Sequence, residues 1–224
     1  MSALPRVARN TLGGYCFHIL NRGHGRSRVF HDAGDYDYFV GLLHRSICRV
    51  PMRLIAFCLM PNHFHLVTWP ADARETGKWM HWLMTTHVAR HRGKYETVGG
   101  IWQGRYKSFP IQRDHHLLTV TRYVERNPLR ANLVRRASDW RWSSLALLGQ
   151  PGAEDLLHPG PVRRPAGWST WIDTPQTAPE LESLRECSKR GRPFGDERWT
   201  QRAATDLRIE NSLRPLGRPR KIRS

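Results

Sequence analysis

Two apolar runs, MRLIAFCLM at 52–60 and HFHLVTW at 63–69, are separated only by Pro61 and Asn62. Both are rich in the branched and aromatic residues that fit a pleated sheet, and so short a connection lays two strands antiparallel, side by side. The proline falls at the turn, where its missing N–H costs no ladder bond. This hairpin constrains the fold more than any other feature, because it sets pairing, register and facing together. Side chains alternate along a strand, so His63 and His65 project from one face. Two polar rings on so apolar a strand need a reason. One reading is the polar face of an edge strand. The other is a pair of imidazoles converging on one metal ion, which i, i+2 spacing on a strand permits.

The rest of the chain builds around this hairpin. GYCFHILNRG (14–23) alternates and ends in a turn signal, which predicts a first strand. DYDYFVGLLHRSICRV (35–50) repeats at helical spacing, with Asp35 as its expected N-cap. Residues 75–92 set Met80, Leu83, Met84 and His87 on one helical stripe, with Gly77 weakening its start. GGIWQGRYKSFPIQ (99–112) reads as a glycine-rich loop entering a basic strand. DHHLLTVTRYVERN (114–127) predicts a helix capped by Asp114 and stopped by Pro128, which opens a further helix. DWRWSSL, with Trp140 and Trp142 as core or cover, closes the unit near 148.

That order predicts an α+β domain over 1–148: an antiparallel sheet with its helices on one face. Residues 149–184 turn to Pro, Gly and Ala, as in a linker or peripheral strap. From 185 to 224 twelve Lys and Arg face five Asp and Glu, with one helix, DERWTQRAATDLRI, between two Gly-Arg-Pro triplets. This basic C-terminal extension reads either as a minor-groove hook built on Arg192, Arg218, Arg220 and Lys221, or as an arm that orders on nucleic acid.

Charge points to the partner. Across 224 residues, 36 Lys and Arg oppose 19 Asp and Glu, a formal +17. Such a field favours a polyanion, and the predominance of arginine suits phosphates and base edges. No apolar run is long enough to span a membrane, and no basic helix offers an apolar face to insert into one. The four cysteines (16, 48, 58 and 187) form no C-x-x-C pair, which argues against a zinc ribbon or disulfide framework and for a cytoplasmic protein.

A metal at His63 and His65 needs a third ligand and a reacting group. Tyr123 and Asn127, four apart on the helix 114–127, share one of its faces. Asn127 offers an oxygen ligand and Tyr123 a phenolic nucleophile. A phenol titrates near pH ~10, so a neighbouring cation would favour the phenolate and polarise a phosphoryl oxygen. The competing readings are a core tyrosine and an asparagine N-cap for the helix at Pro128.

FHILNRG, AFCLMPNHFHLV, WQGRYKSFPI and TVTRYVERNPLRANLV, in this order, resemble the REP-associated tyrosine transposases, relatives of the single-tyrosine HUH transposases. The resemblance covers residues 14 to about 146, and the Gly-Arg-Pro tail is similar to the family's extension. It implies a ferredoxin-like sheet, close to the RNA-recognition fold. It implies a divalent ion, Mg²⁺ or Mn²⁺, at His63, His65 and Asn127, with Tyr123 as nucleophile. Its substrate would be single-stranded, hairpin-forming REP DNA, cut to leave a 5′-phosphotyrosine and a free 3′-OH. The resemblance leaves open a monomer, the reading favoured, or a dimer that swaps tyrosine helices.

Gln103, Arg105 and Lys107 alternate on the predicted basic strand and would face one side, as phosphate and base contacts or as a solvated strand face. Trp102 and Tyr106 between them read as stacking platforms. Asn21, Arg22 and Arg26 form a second basic loop. His115 and His116, at a helix start, read as exposed or capping. The alternative function is a module that binds DNA or RNA hairpins without cutting. A replication-initiating nickase is disfavoured because no helicase-type phosphate loop follows.

Overall fold

The computed structural model describes residues 14–214. The expected hairpin forms β2 (Arg53–Met60) and β3 (His63–Trp69), with Met60 opposite His63 across the Pro61-Asn62 turn. β1 (Cys16–Arg22) pairs antiparallel with β3 and, on its other side, with β4 (Lys107–Ile111). The sheet order is β2-β3-β1-β4. With α1 (Ala33–Arg49) between β1 and β2, and α2 (Ala73–Tyr95) between β3 and β4, the topology is ferredoxin-like. Asp32, not Asp35, caps α1: its carboxylate accepts from the Asp35 N–H at 3.0 Å. Asp35 sits one turn in, where it accepts from the Tyr95 hydroxyl and Lys94 at 2.6 Å each and joins the two helices.

The α+β antiparallel sheet is as expected, but helices cover both of its faces rather than one. On one face Phe17, Ile19, Leu54, Phe57, Phe64 and Leu66 pack against Phe39, Leu42 and Leu43 of α1 and Trp79, Met80 and Leu83 of α2. On the other, Cys16, Val67, Phe109 and Ile111 meet Leu117, Val120, Tyr123 and Val124 of α3 (His115–Glu125). The reason is visible in β2, RLIAFCLM, which does not alternate at all. A strand buried on both sides reads as a continuous apolar run.

Residues after 127 close the sheet. α4 (Asn127–Arg130) continues from α3 as one short turn with Pro128 at its start, and α5 (Ser144–Leu147) follows. The Leu59 N–H donates to the Trp142 carbonyl at 3.0 Å and the His158 N–H to Leu54 at 2.7 Å, which occupies the β2 edge. At the opposite edge Phe194 donates to Pro110 at 2.9 Å and accepts from Gln112 at 3.0 Å. Trp168 and Ile172 of α6 (Trp168–Asp173) build a small third cluster with Ala137 and Leu145.

The divide expected at 184/185 falls inside α7 (Ala178–Arg190), whose Leu184 and Cys187 are buried in the same cluster as Tyr123. The helix expected in the tail is α8 (Glu197–Asp206), capped by Asp196. No helix among the described residues is long and apolar enough to cross a membrane.

α3 is held firmly by its own chain. Arg122 donates to the carbonyls of Trp171 (3.0 Å) and Thr174 (2.6 Å), and Arg126 to that of Ile172 (2.7 Å), all at the C-terminal end of α6. Between them Glu125, fully buried, accepts from Ser144 Oγ at 2.6 Å and Trp168 Nε1 at 2.7 Å, with Arg164 at 3.5 Å. Burial raises the Glu125 pKa, and Arg164 and its hydrogen bonds oppose the rise.

Candidate active site

Strand alternation places His63 and His65 of β3, and His18 of β1, on the sheet face that α3 covers. The His63 and His65 ring centroids are 5.0 Å apart, and the Tyr123 ring stands perpendicular to His65 at 5.8 Å. His18 stacks on His65 at 5.0 Å, with its Nε2 2.8 Å from His65 Nδ1. His63 Nδ1 lies 2.6 Å from Asn62 Oδ1. With both Nδ1 atoms engaged, Nε2 is the nitrogen each ring can turn to the pocket they line. Burial is the main force holding His18 and His63 down at about 3 and His65 well below its ordinary value. Arg22 and Arg130 push the same way on His63 and His65. All three are neutral near pH ~7, the form in which an imidazole binds a metal.

Asn127 is not an N-cap. Its amide donates back to the carbonyls of Tyr123 (3.0 Å) and Val124 (3.3 Å), and its Oδ1 accepts from Arg130. Asn127 and Tyr123 stand one helical turn apart and line the same pocket. Arg130 reaches over this group, with its guanidinium 4.4 Å from the Tyr123 ring centre.

His63, His65, Tyr123 and Asn127 line one cavity of about 300 Å³. The expected Asn21, Arg22, Gln103, Arg105 and Lys107 line it too, joined by Arg130 and by Arg185, Ser188 and Lys189 from α7. No carboxylate is among these lining residues. Arg22 Nε and Arg130 Nη1 are buried there without a hydrogen-bond partner. A pocket that gathers cations and leaves their donors unmet is built for an anion with several acceptor oxygens.

The donor set fits a divalent ion: two neutral imidazoles with outer partners and an amide oxygen. Asn127 Oδ1 already accepts from Arg130, which leaves its second lone pair for an ion. Asp114, His115 and His116 also bring donor atoms within 4.8 Å of one another, but at the start of α3. There Asp114 is the cap, accepting from the His116 N–H at 2.8 Å, as the sequence suggested.

Other expected residues fall outside the pocket. Residues 103–106 belong to a loop, and the ladder begins at Lys107, yet Gln103, Arg105 and Lys107 still face one cavity. Trp102 is 6% exposed and packs in the core against Phe30, Phe64 and His87, so it offers no open face for stacking. Tyr106 lines a separate cavity. Asn21 is tied down by donating to the Gly104 carbonyl at 3.1 Å. Arg26 is exposed in a shallow depression that shares only His63 with the main pocket. Arg192 follows the Gly191 cap of α7 and does not line the pocket. Arg218, Arg220 and Lys221 lie outside the described residues.

Sequence reasoning passed over His18, Arg130 and the α7 residues. A lone histidine in the alternating β1 run was the available signal for His18. Arg130, seven residues after Tyr123, shares its side of the helix pair. Nothing local marks Arg185, because only the tertiary return of α7 brings it to the sheet.

On a ferredoxin-like sheet, a basic, carboxylate-free pocket holding paired histidines and a tyrosine suits a phosphate. The chain belongs to the IS200-like transposase family, whose model matches residues 12–127. A curated relative from Haemophilus influenzae, assigned as a REP-associated tyrosine transposase, is 28% identical over 113 residues, covering 45% of this chain and 64% of the relative. The chain thus spans a little under two thirds of that relative's length. A solved structure of a REP-associated tyrosine transposase bound to a REP hairpin superposes with a TM-score of 0.54 at 20% identity, over 79% of this chain and 93% of that one. This second likeness is one of fold.

Proposed function

We propose that the chain is a metal-dependent single-strand DNA endonuclease and strand-transferase acting on hairpin-forming repetitive extragenic palindromes, in the cytoplasm at nucleoid DNA. The observation that carries this reading is the meeting of Tyr123 with His63, His65 and Asn127 in one cationic pocket. In the proposed reaction the Tyr123 oxygen attacks phosphorus and the bond from phosphorus to the 3′ oxygen breaks. The phenolic proton passes to water, and the leaving oxygen gains one to become a free 3′-OH. The 5′ side stays on Tyr123 as a phosphotyrosine, which a 3′-OH attacks in the reverse sense to rejoin strands.

His63, His65 and Asn127 would hold Mg²⁺ or Mn²⁺, which when bound supplies polarisation of a phosphoryl oxygen. His18 fixes the His65 ring through its Nδ1. Arg22, Arg105, Lys107 and Arg130 hold the phosphate in line with Tyr123 and offset its charge as it builds. The Arg122 and Arg126 contacts to α6 hold the tyrosine helix on its own chain, which supports action in cis by a monomer.

One observation favours a second reading, a non-cleaving hairpin-binding module: Asn127 Oδ1 is already bonded to Arg130. Labelled single-stranded hairpin DNA on a denaturing gel separates the two. Wild type and Tyr123→Phe are each run with Mg²⁺, Mn²⁺ or chelator. A covalent protein–DNA band that needs both metal and Tyr123 is the expected result. Tight binding by both proteins with no cleavage establishes the binding module instead.

A further inference from the structure

A second cavity of about 740 Å³ opens behind the loop that leads into β4. Its size is within the range of small-ligand sites, roughly 300–1,000 Å³. Met80, Met84 and Val88 of α2 form one apolar wall and Ile101 and Tyr106 the other, with Arg92 and Arg105 also lining it. Asn21 and Arg105 line both this cavity and the catalytic pocket, so the two lie side by side with these residues as their common wall. The loop divides its residues between them: Gln103 and Lys107 line the catalytic side and Tyr106 this one.

Gly77 lies on the wall, inside α2, where glycine is less favourable than alanine. Its φ is not positive, and a Cβ built on it meets nothing within 4 Å. Neither backbone nor packing requires glycine there. What its missing side chain provides is room. Gly104 lines the same cavity, and a Cβ there also meets nothing within 4 Å.

We propose that this cavity takes one unpaired nucleobase of the DNA strand whose phosphate occupies the catalytic pocket. The inference rests on the function proposed above and adds a base site to it. A flat heterocycle suits apolar walls that include a tyrosine, and stacking of this kind accepts any base. Arg105, shared by both cavities, is placed to meet the phosphate that links that base to the scissile one. The lining carries no carboxylate to repel a nucleotide.

The test uses the full chain and single-stranded REP hairpin DNA carrying 2-aminopurine at each unpaired flanking position in turn. Gly77→Leu projects a bulky side chain from the cavity wall, while Gly77→Ala adds one methyl, whose Cβ meets nothing within 4 Å, and keeps the room. We expect one position whose fluorescence changes on binding to wild type and to Gly77→Ala but not to Gly77→Leu. Gly77→Leu should bind the flanked hairpin about tenfold more weakly, the loss of one base contact. It should bind the flankless hairpin unchanged and melt no lower than wild type. If hairpin binding and cleavage persist but no position responds to Gly77→Leu, the base site is wrong and the proposed function stands. If the wild type neither binds nor cuts any hairpin, the function fails and the base site with it.

Discussion

The two faces of the sheet come from the same strands and do different work. On the side of α1 and α2, Ile19, Phe64 and Leu66 belong to the large apolar cluster and lie at 0% exposure. One residue away along each strand, His18, His63 and His65 face α3, and the last two line a pocket of unmet cationic donors. The first face gains stability from dense packing. The second holds neutral rings and guanidinium nitrogens without partners that burial alone disfavours, and it persists because the first is so well packed. Stability and chemistry are thus separated by a period of two.

Substitutions on the two faces should part accordingly. Tyr123→Phe removes the nucleophile and should abolish covalent adduct formation while leaving the melting temperature nearly unchanged. Phe64→Ala, on the packed face, should cost about 4 kcal/mol in urea unfolding. His63→Ala, its chain neighbour on the other face, should cost only about 1 kcal/mol while ending cleavage and sparing hairpin binding. Equal destabilisation by these two neighbours would erase the distinction between the faces. Glu125→Ala, which strands Arg164 and the Trp168 and Ser144 donors, should cost on the order of 3 kcal/mol.

Acid should weaken the packed face too. Burial chiefly, and then His91, holds His87 at about 3 against an ordinary 6.5. Between those values the unfolded chain binds a proton that the folded one refuses. The stability is therefore fully present above 6.5 and drains away as pH falls toward 3. Urea midpoints that stay level from pH ~7 to ~4 would contradict the burial of these rings. The smallest effect separates surface cations. Arg185→Ala, in the catalytic pocket, should reduce the log–log salt slope of hairpin binding by about 0.7. Arg49→Ala, over Trp82 on the far side, should leave that slope alone.

How much of this was legible in the sequence depended on how local each cause was. The β2–β3 hairpin, the Asp114 cap and the facing of His63 with His65 follow from neighbours in the chain, and each was readable. The facing of Gln103, Arg105 and Lys107 was also readable, although the ladder starts only at Lys107. Trp102 misled, because an aromatic among basic residues looks the same whether it stacks on a base or fills a core; only its contact with Phe64 decides. The second covered face was written in the unbroken apolar run of β2 but masked by the alternation of its partner. The α7 contribution had no local sign. Arg185 reaches the pocket because Leu184 and Cys187 bury against the sheet, a contact that joins residues far apart in the chain.

The closure of the sheet edges has a consequence for synthesis. The ribosome delivers β4 long before it delivers Phe194, and β2 before Trp142 and His158. In that interval the nascent sheet shows bare ladder groups on both flanks, the surface on which foreign strands template. A chain ending soon after α3 would keep that surface permanently and should aggregate, although it holds all four strands and the tyrosine. The residues past 127 therefore complete the sheet's edges, and they arrive last.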